Sequence, residues 1–171
     1  MGIVFPHVDD ADTAKKLVSY CLFPPKGHRS MTGSLPQLNF VPTPISEVAT
    51  TINDSLIIVM MLESPEAINN VEDIAAISGV DVLLIGTNDL CMEMGLPGQL
   101  GHPDIVEAYK KPSQHAKNII SVQEWEGIYE PDLMDKYINM GIKMILGGNN
   151  LSLMISAGKD QTFKIRTNFT G

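Results

Sequence analysis

Residues 56 to 62 read Leu-Ile-Ile-Val-Met-Met-Leu, seven apolar residues with no polar interruption, and Glu63-Ser64-Pro65-Glu66 follows directly. An unbroken run of this kind suits a strand buried on both faces, as in the wall of a parallel sheet or barrel. Ser64 then supplies a helix cap and Pro65 the first helical position. Ala67, Ile68, Val71, Ile74 and Ala75 recur at helical spacing and give that helix an inner face, with Gly79 as its stop. A second strand, Val82 to Ile85, ends in Gly86-Thr87-Asn88-Asp89. Strand, helix and strand in succession are the pattern of βα units.

The rest of the chain repeats it. Gly2 to Phe5 reads as a short buried strand closed by Pro6. Asp9 or Asp10 caps a helix with apolar positions Ala11, Ala14, Leu17, Val18 and Cys21, which predicts a buried thiol. Residues 24 to 44, with five prolines, form a long irregular connection of the kind that often carries function. A short helix is expected around Ser46 to Ile52. A further helix starts after His102-Pro103, continues through Tyr109 and is interrupted at Pro112. Ile119 to Val122 and Lys143 to Leu146 complete a count of five strands, and Pro131 to Met140 is a helix ended by Gly141. With four or five helices and no linker, residues 1–171 read as a single domain, with residues 151–171 as a C-terminal tail or helix.

Net charge excludes some partners. The formal charge is −8, and the longest basic runs are the pairs Lys15-Lys16 and Lys110-Lys111, so no surface invites nucleic acid. An anionic substrate would be repelled at long range and needs a local cation. No apolar run reaches membrane-spanning length, and no basic segment followed by an apolar one opens the chain, which makes the cytoplasm the expected compartment. Cys21 and Cys91 form no C-x-x-C pair, so neither a zinc site nor a redox motif is indicated.

In parallel βα folds ligands sit beyond the C-terminal ends of the strands. Glu63 and Asp89 both fall there, one βα repeat apart. Neighbouring parallel strands lie roughly 4.8 Å apart, so two such carboxylates can share one divalent cation. Both donors are hard oxygens, which favours Mg²⁺ or Mn²⁺. Spacing alone leaves the bland alternatives open: Glu63 as a solvated strand end and Asp89 as a helix cap.

Met61-Leu62-Glu63-Ser64-Pro65-Glu66-Ala67 and Leu84-Ile85-Gly86-Thr87-Asn88-Asp89-Leu90, followed by Met94-Gly95, resemble the two signature stretches of the HpcH/HpaI aldolase and citrate lyase family. Gly79-Val80-Asp81, Gly101-His102-Pro103, Phe23-Pro24-Pro25-Lys26-Gly27-His28-Arg29 and Val4-Phe5-Pro6-His7-Val8 resemble it too. This is the family of class II pyruvate aldolases, such as 4-hydroxy-2-oxoheptanedioate aldolase, with macrophomate synthase among its relatives. The resemblance implies a TIM-type (β/α)8 barrel, present here as an incomplete barrel covering about strands 4 to 8. It implies Glu63 and Asp89 as ligands of Mg²⁺ or Mn²⁺. The backbone N–H groups of Thr87, Asn88 and Asp89 would hold the carboxylate of a 2-keto acid such as pyruvate or oxaloacetate. The reaction implied is cleavage of a 4-hydroxy-2-keto acid to pyruvate and an aldehyde through a metal-stabilised enolate, in a homo-oligomer that is often hexameric. Decarboxylation of oxaloacetate is the related alternative.

Several features depart from the family. The catalytic histidine and the carboxylate-gripping arginine belong to strands before the fourth, so neither is assigned, and the chain reads as a fragment or a non-catalytic remnant. Arg29 is a weaker candidate for the substrate mouth, set against a structural ion pair in its loop. His7, just after a strand, is another residue that could face the site. Met61 stands where the family usually has Gln. Residues 112 to 126, including Trp125, do not resemble the family's helix-to-strand passage.

Overall fold

The computed structural model describes residues 1–115, 119–122, 135–136, 138–145 and 150–169. Five parallel strands form one sheet: β1 (Gly2–Phe5), β2 (Ile57–Leu62), β3 (Val82–Gly86), β4 (Ile119–Val122) and β5 (Met144–Ile145). Their spatial order is their sequence order, so each connection steps to the next strand in the same direction. The helices are α1 (Ala11–Cys21), α2 (Ile45–Ser55), α3 (Pro65–Asn69), α4 (Val71–Ala75), α5 (Thr87–Glu93), α6 (Pro103–His115) and α7 (Asn150–Phe169). This is an α/β architecture with the five strands that the sequence pattern predicts.

Register divides the sheet into two faces. Phe5, Met60 and Leu83 align, as do Leu62 and Ile85. Ile58, Met60, Leu62, Leu83 and Ile85 join Val18, Ile68, Ile74 and Tyr109 in the main core. Val59, Val82 and Leu84 form a smaller cluster with Met61, on the alternate positions of the same strands. Cys21 and Cys91 are both buried, and burial pushes each thiol above its ordinary pKa.

Local capping follows the sequence closely. Asp10 caps α1, its Oδ1 accepting the Thr13 N–H at 2.7 Å. Ser64 caps α3, its Oγ accepting the Ala67 N–H at 3.0 Å. Gly79, in the left-handed region at φ 99°, closes the segment after α4.

Four expectations are corrected. Gly2–Phe5 is a strand but not a buried one: Ile3 and Val4 are 39% and 47% exposed, because among the described residues β1 has a neighbour on one side only. The helix read from Pro65 to Gly79 is two helices. Asn70, at φ −93° and ψ 9°, ends α3, and its Nδ2 donates to the Asp9 carbonyl at 2.7 Å. Pro112 does not stop α6, which runs on to His115. Pro112 is buried on the same side as Ile105 and Tyr109, and that burial offsets a proline cost of about 3 kcal/mol. Finally, the described residues hold these seven α-helices and further helical residues at 135–136 and 138–139, rather than four or five helices, since one is split and α5 and the C-terminal α7 add to the count.

The long connection packs against its own neighbours. Asn53 of α2 clasps Phe23, its Oδ1 accepting the Phe23 N–H at 2.8 Å and its Nδ2 donating to the carbonyl at 3.2 Å. Phe23, Leu35, Val48 and Ile52 then form a separate apolar cluster. Trp125, Leu133, Met134, Tyr137, Leu146 and Gly147-Gly148 lie outside the described residues.

Candidate functional site

Strands β2 and β3 end side by side, with Leu62 opposite Ile85. The next pair across the ladder is Glu63 and Gly86. Strand alternation sends Glu63 to the side of Val59 and Met61. Gly86 makes room for it: a Cβ there would lie 2.6 Å from Glu63 Cγ and 2.6 Å from Oε1. Glu63 is thereby folded over the glycine and is only 4% exposed.

β1 supplies the other wall. After Pro6 the chain turns at His7, whose φ of 52° lies in the left-handed region. That turn aims the His7 N–H at Glu63 Oε2, which accepts it at 2.8 Å. The ring follows, with Nδ1 3.2 Å from the same oxygen. The Val8 N–H donates to the Met61 carbonyl at 3.2 Å, continuing the β1 to β2 pairing past the strand.

Asp89 lies in the first turn of α5, one βα unit after Glu63. Burial raises the Glu63 carboxyl above its ordinary pKa. The N–H and ring of His7 pull it back, while the Asp89 charge and a carboxyl to carboxyl hydrogen bond raise it further. Two acids from consecutive strand ends therefore meet. Glu63, Asp89, His7, Asp9, Glu66 and Glu93 line one cavity of about 240 Å³. Ser64 ties the rim together, its Oγ donating to Asp9 Oδ1 at 2.5 Å.

The remaining candidates are placed as follows. Asn88 is exposed beside Asp89, and Thr87 is buried with its hydroxyl against that of Tyr109. Arg29 does not line the cavity; its guanidinium sits 4.6 Å over the Phe23 ring. A larger cavity of about 410 Å³, beside Lys15, Lys26 and His28, holds none of the candidate residues. Sequence reading gave His7 only as a residue that could face the site, and Asp9 only as an alternative cap of the first helix. The signal was available, since β1 ends beside β2 and the strand-end rule applies to it equally. The turn at His7 is what delivers the contact, and a local φ of that kind is not legible in the residue order.

Among the described residues no group of three or more His, Cys, Asp or Glu is disposed to hold a metal ion. The Glu63 and Asp89 pair still fits one. Its donors are hard oxygens, and Mg²⁺ typically takes one or two carboxylates and fills its remaining positions with water and substrate.

A parallel α/β sheet with carboxylates gathered at its strand ends places the site where such folds bind their ligands, and the comparisons narrow the class. The HpcH/HpaI aldolase/citrate lyase family model matches residues 1–157, and the chain belongs to that family. It is 36% identical over 163 residues to a 4-hydroxy-4-methyl-2-oxoglutarate aldolase of Chaetomium globosum, covering 94% of this chain and 61% of that one. It is 33% identical over 103 residues to a 2-keto-3-deoxy-L-rhamnonate aldolase of Escherichia coli, covering 60% of this chain and 38% of the relative. Among solved structures, an HpcH/HpaI aldolase from Desulfitobacterium hafniense matches with a TM-score of 0.83 and 25% identity, over 96% of this chain and 63% of that one. Macrophomate synthase matches with a TM-score of 0.74 and 25% identity, over 99% of this chain and 60% of that one. The chain thus spans less than two thirds of the length of these relatives. The family and these curated relatives are aldolases, and the family is generally metal-dependent.

Proposed function

We propose that Glu63 and Asp89 hold one divalent cation, Mg²⁺ or Mn²⁺, in an aldolase that cleaves 4-hydroxy-2-oxo acids and releases pyruvate. One observation carries this reading: the two acids reach a common cavity from the ends of adjacent parallel strands. The five strands then correspond to about strands 4 to 8 of a TIM-type barrel. That correspondence is supported by the all-parallel sequential sheet and by the partial coverage of the relatives.

Each residue has a part in this reading. A bound cation supplies Lewis-acid stabilisation of the negative charge that develops on the keto oxygen as the carbon–carbon bond breaks. Glu63 and Asp89 fix its position, and Gly86 and His7 fix Glu63. The backbone of Thr87, Asn88 and Asp89, at the opening of α5, would bind the substrate carboxylate. The Chaetomium relative's name suggests a test substrate, 4-hydroxy-4-methyl-2-oxoglutarate, whose cleavage yields two molecules of pyruvate.

Calorimetric titration with Mn²⁺ and pyruvate release, with and without a chelator, test the proposal. Binding that is lost in Glu63→Gln and Asp89→Asn, together with chelator-sensitive pyruvate release, is expected. A chain with no cation affinity would sink it. A specific observation favours a second reading: among the described residues no arginine lines the cavity to grip a carboxylate. Cation binding without turnover would mark a site retained in a non-catalytic or structural role.

We also propose self-association through α7. None of its described side chains is buried, and Leu153, Met154, Phe163 and Ile165 are among its exposed apolar residues.

A further inference from the structure

We propose that the ring of His7 is a positioning group for the cation site, joining its own backbone N–H in holding Glu63 Oε2 so that Glu63 offers its other oxygen, Oε1, to the ion. This rests on the reading of Glu63 and Asp89 as a cation pair and adds a third residue, which does not itself touch the ion. The arrangement around Glu63 assigns its two oxygens different surroundings. Oε2 accepts the His7 N–H at 2.8 Å and lies 3.2 Å from His7 Nδ1. Oε1 and Cγ lie against Gly86, where no side chain intervenes. The carboxylate is gripped from β1 on one side and seated on the end of β3 on the other.

The backbone of His7 is committed to this contact. Its φ of 52° is uncommon for a residue with a side chain, and nearby Pro6 and the Val8 N–H bond to Met61 fix the turn on both sides. The side chain is 71% exposed, yet its Nδ1 faces the buried carboxylate at 3.2 Å. Groups that orient a ligand in this way commonly set metal affinity by about 10- to 100-fold.

The test compares this chain with His7→Gly and His7→Asn, each titrated with Mn²⁺ by calorimetry and melted without added metal. Glycine relieves the left-handed backbone and removes the ring. Asparagine tolerates the same φ and brings an amide N–H towards Oε2. Glycine keeps the backbone N–H on Oε2, so the comparison reads the ring alone: expected is Mn²⁺ affinity lower by about 10- to 100-fold in His7→Gly, recovered in part by His7→Asn, with melting temperatures unchanged or raised. Equal affinity in His7→Gly and parent, with binding abolished in Glu63→Gln, overturns the positioning role of the His7 ring and leaves the cation pair standing. Imidazole nitrogen couplings in pulsed electron paramagnetic resonance of bound Mn²⁺ would make His7 a direct ligand and also overturn it. A parent chain that binds no Mn²⁺ overturns the cation pair itself and this inference with it.

Discussion

The β2–β3 pair and helix α7 are both rich in large apolar residues, yet they end in opposite environments. Met60, Leu62 and Ile85 are fully buried, whereas Met154 is 71% and Phe163 69% exposed. The difference is not one of composition. The strands find α1, α3, α4 and α6 against one face, and the helix finds nothing within the described residues that covers its apolar positions. Apolar area stabilises only where a second surface removes it from water, at roughly 25 cal/mol per Å². The site stands on the region where that condition is met. Glu63 and Asp89 follow β2 and β3, both largely buried, and their geometry inherits the rigidity of that packing.

The largest expected effect breaks the core side of this comparison. Ile85→Ala removes a fully buried side chain one register step below Glu63 and should cost about 2–5 kcal/mol, read from urea denaturation. The loss should be the same at high and low protein concentration, because the contacts lie within one chain. A cost below about 0.5 kcal/mol, typical of surface positions, would mean the core is not packed as described.

Next in size is Gly86→Ala. The added methyl would meet Glu63 Cγ and Oε1 at 2.6 Å. Glu63 has little room to yield, since His7 holds its far oxygen. We expect a loss of about 1–3 kcal/mol in stability, as for other overpacked positions, and a larger proportional loss in Mn²⁺ affinity. Affinity equal to that of the parent would show that Glu63 does not need its seat on Gly86, which would uncouple the site from the strand register.

Much of this was legible in the residue order. The seven-residue apolar run and the Ser64-Pro65 start define a strand and a capped helix, and the next repeat places Asp89. Periodicity is a local property, and these elements are decided locally. What the order hides is decided by distant partners. Asn70 splits a helix because Asp9, 61 residues away, presents a carbonyl to it. Pro112 stays helical because its ring falls on the buried side of α6. Ile3 and Val4 look like core residues and are exposed because β1 has only one neighbour among the described residues. The contact of His7 with Glu63, 56 residues apart, depends on a backbone turn that its neighbours in sequence do not announce.

The smallest effect per chain concerns α7, and it sharpens the other side of the comparison. If another copy covers this helix, its apolar residues contribute to stability only through association, so their effect must depend on concentration. Met154→Asp combined with Phe163→Asp should leave the denaturation midpoint of dilute protein nearly unchanged, because both side chains are already exposed within the chain. At high concentration the parent should gain stability over this variant, by about 1.4 kcal/mol of dimer, or half that per chain, for each tenfold rise in concentration of a two-chain assembly. Sedimentation equilibrium gives the same answer directly: an associating parent and a monomeric variant are expected. A parent that sediments as a monomer at every concentration would show that no second copy covers α7. The apolar content of this helix would then have to be explained by a partner other than this chain.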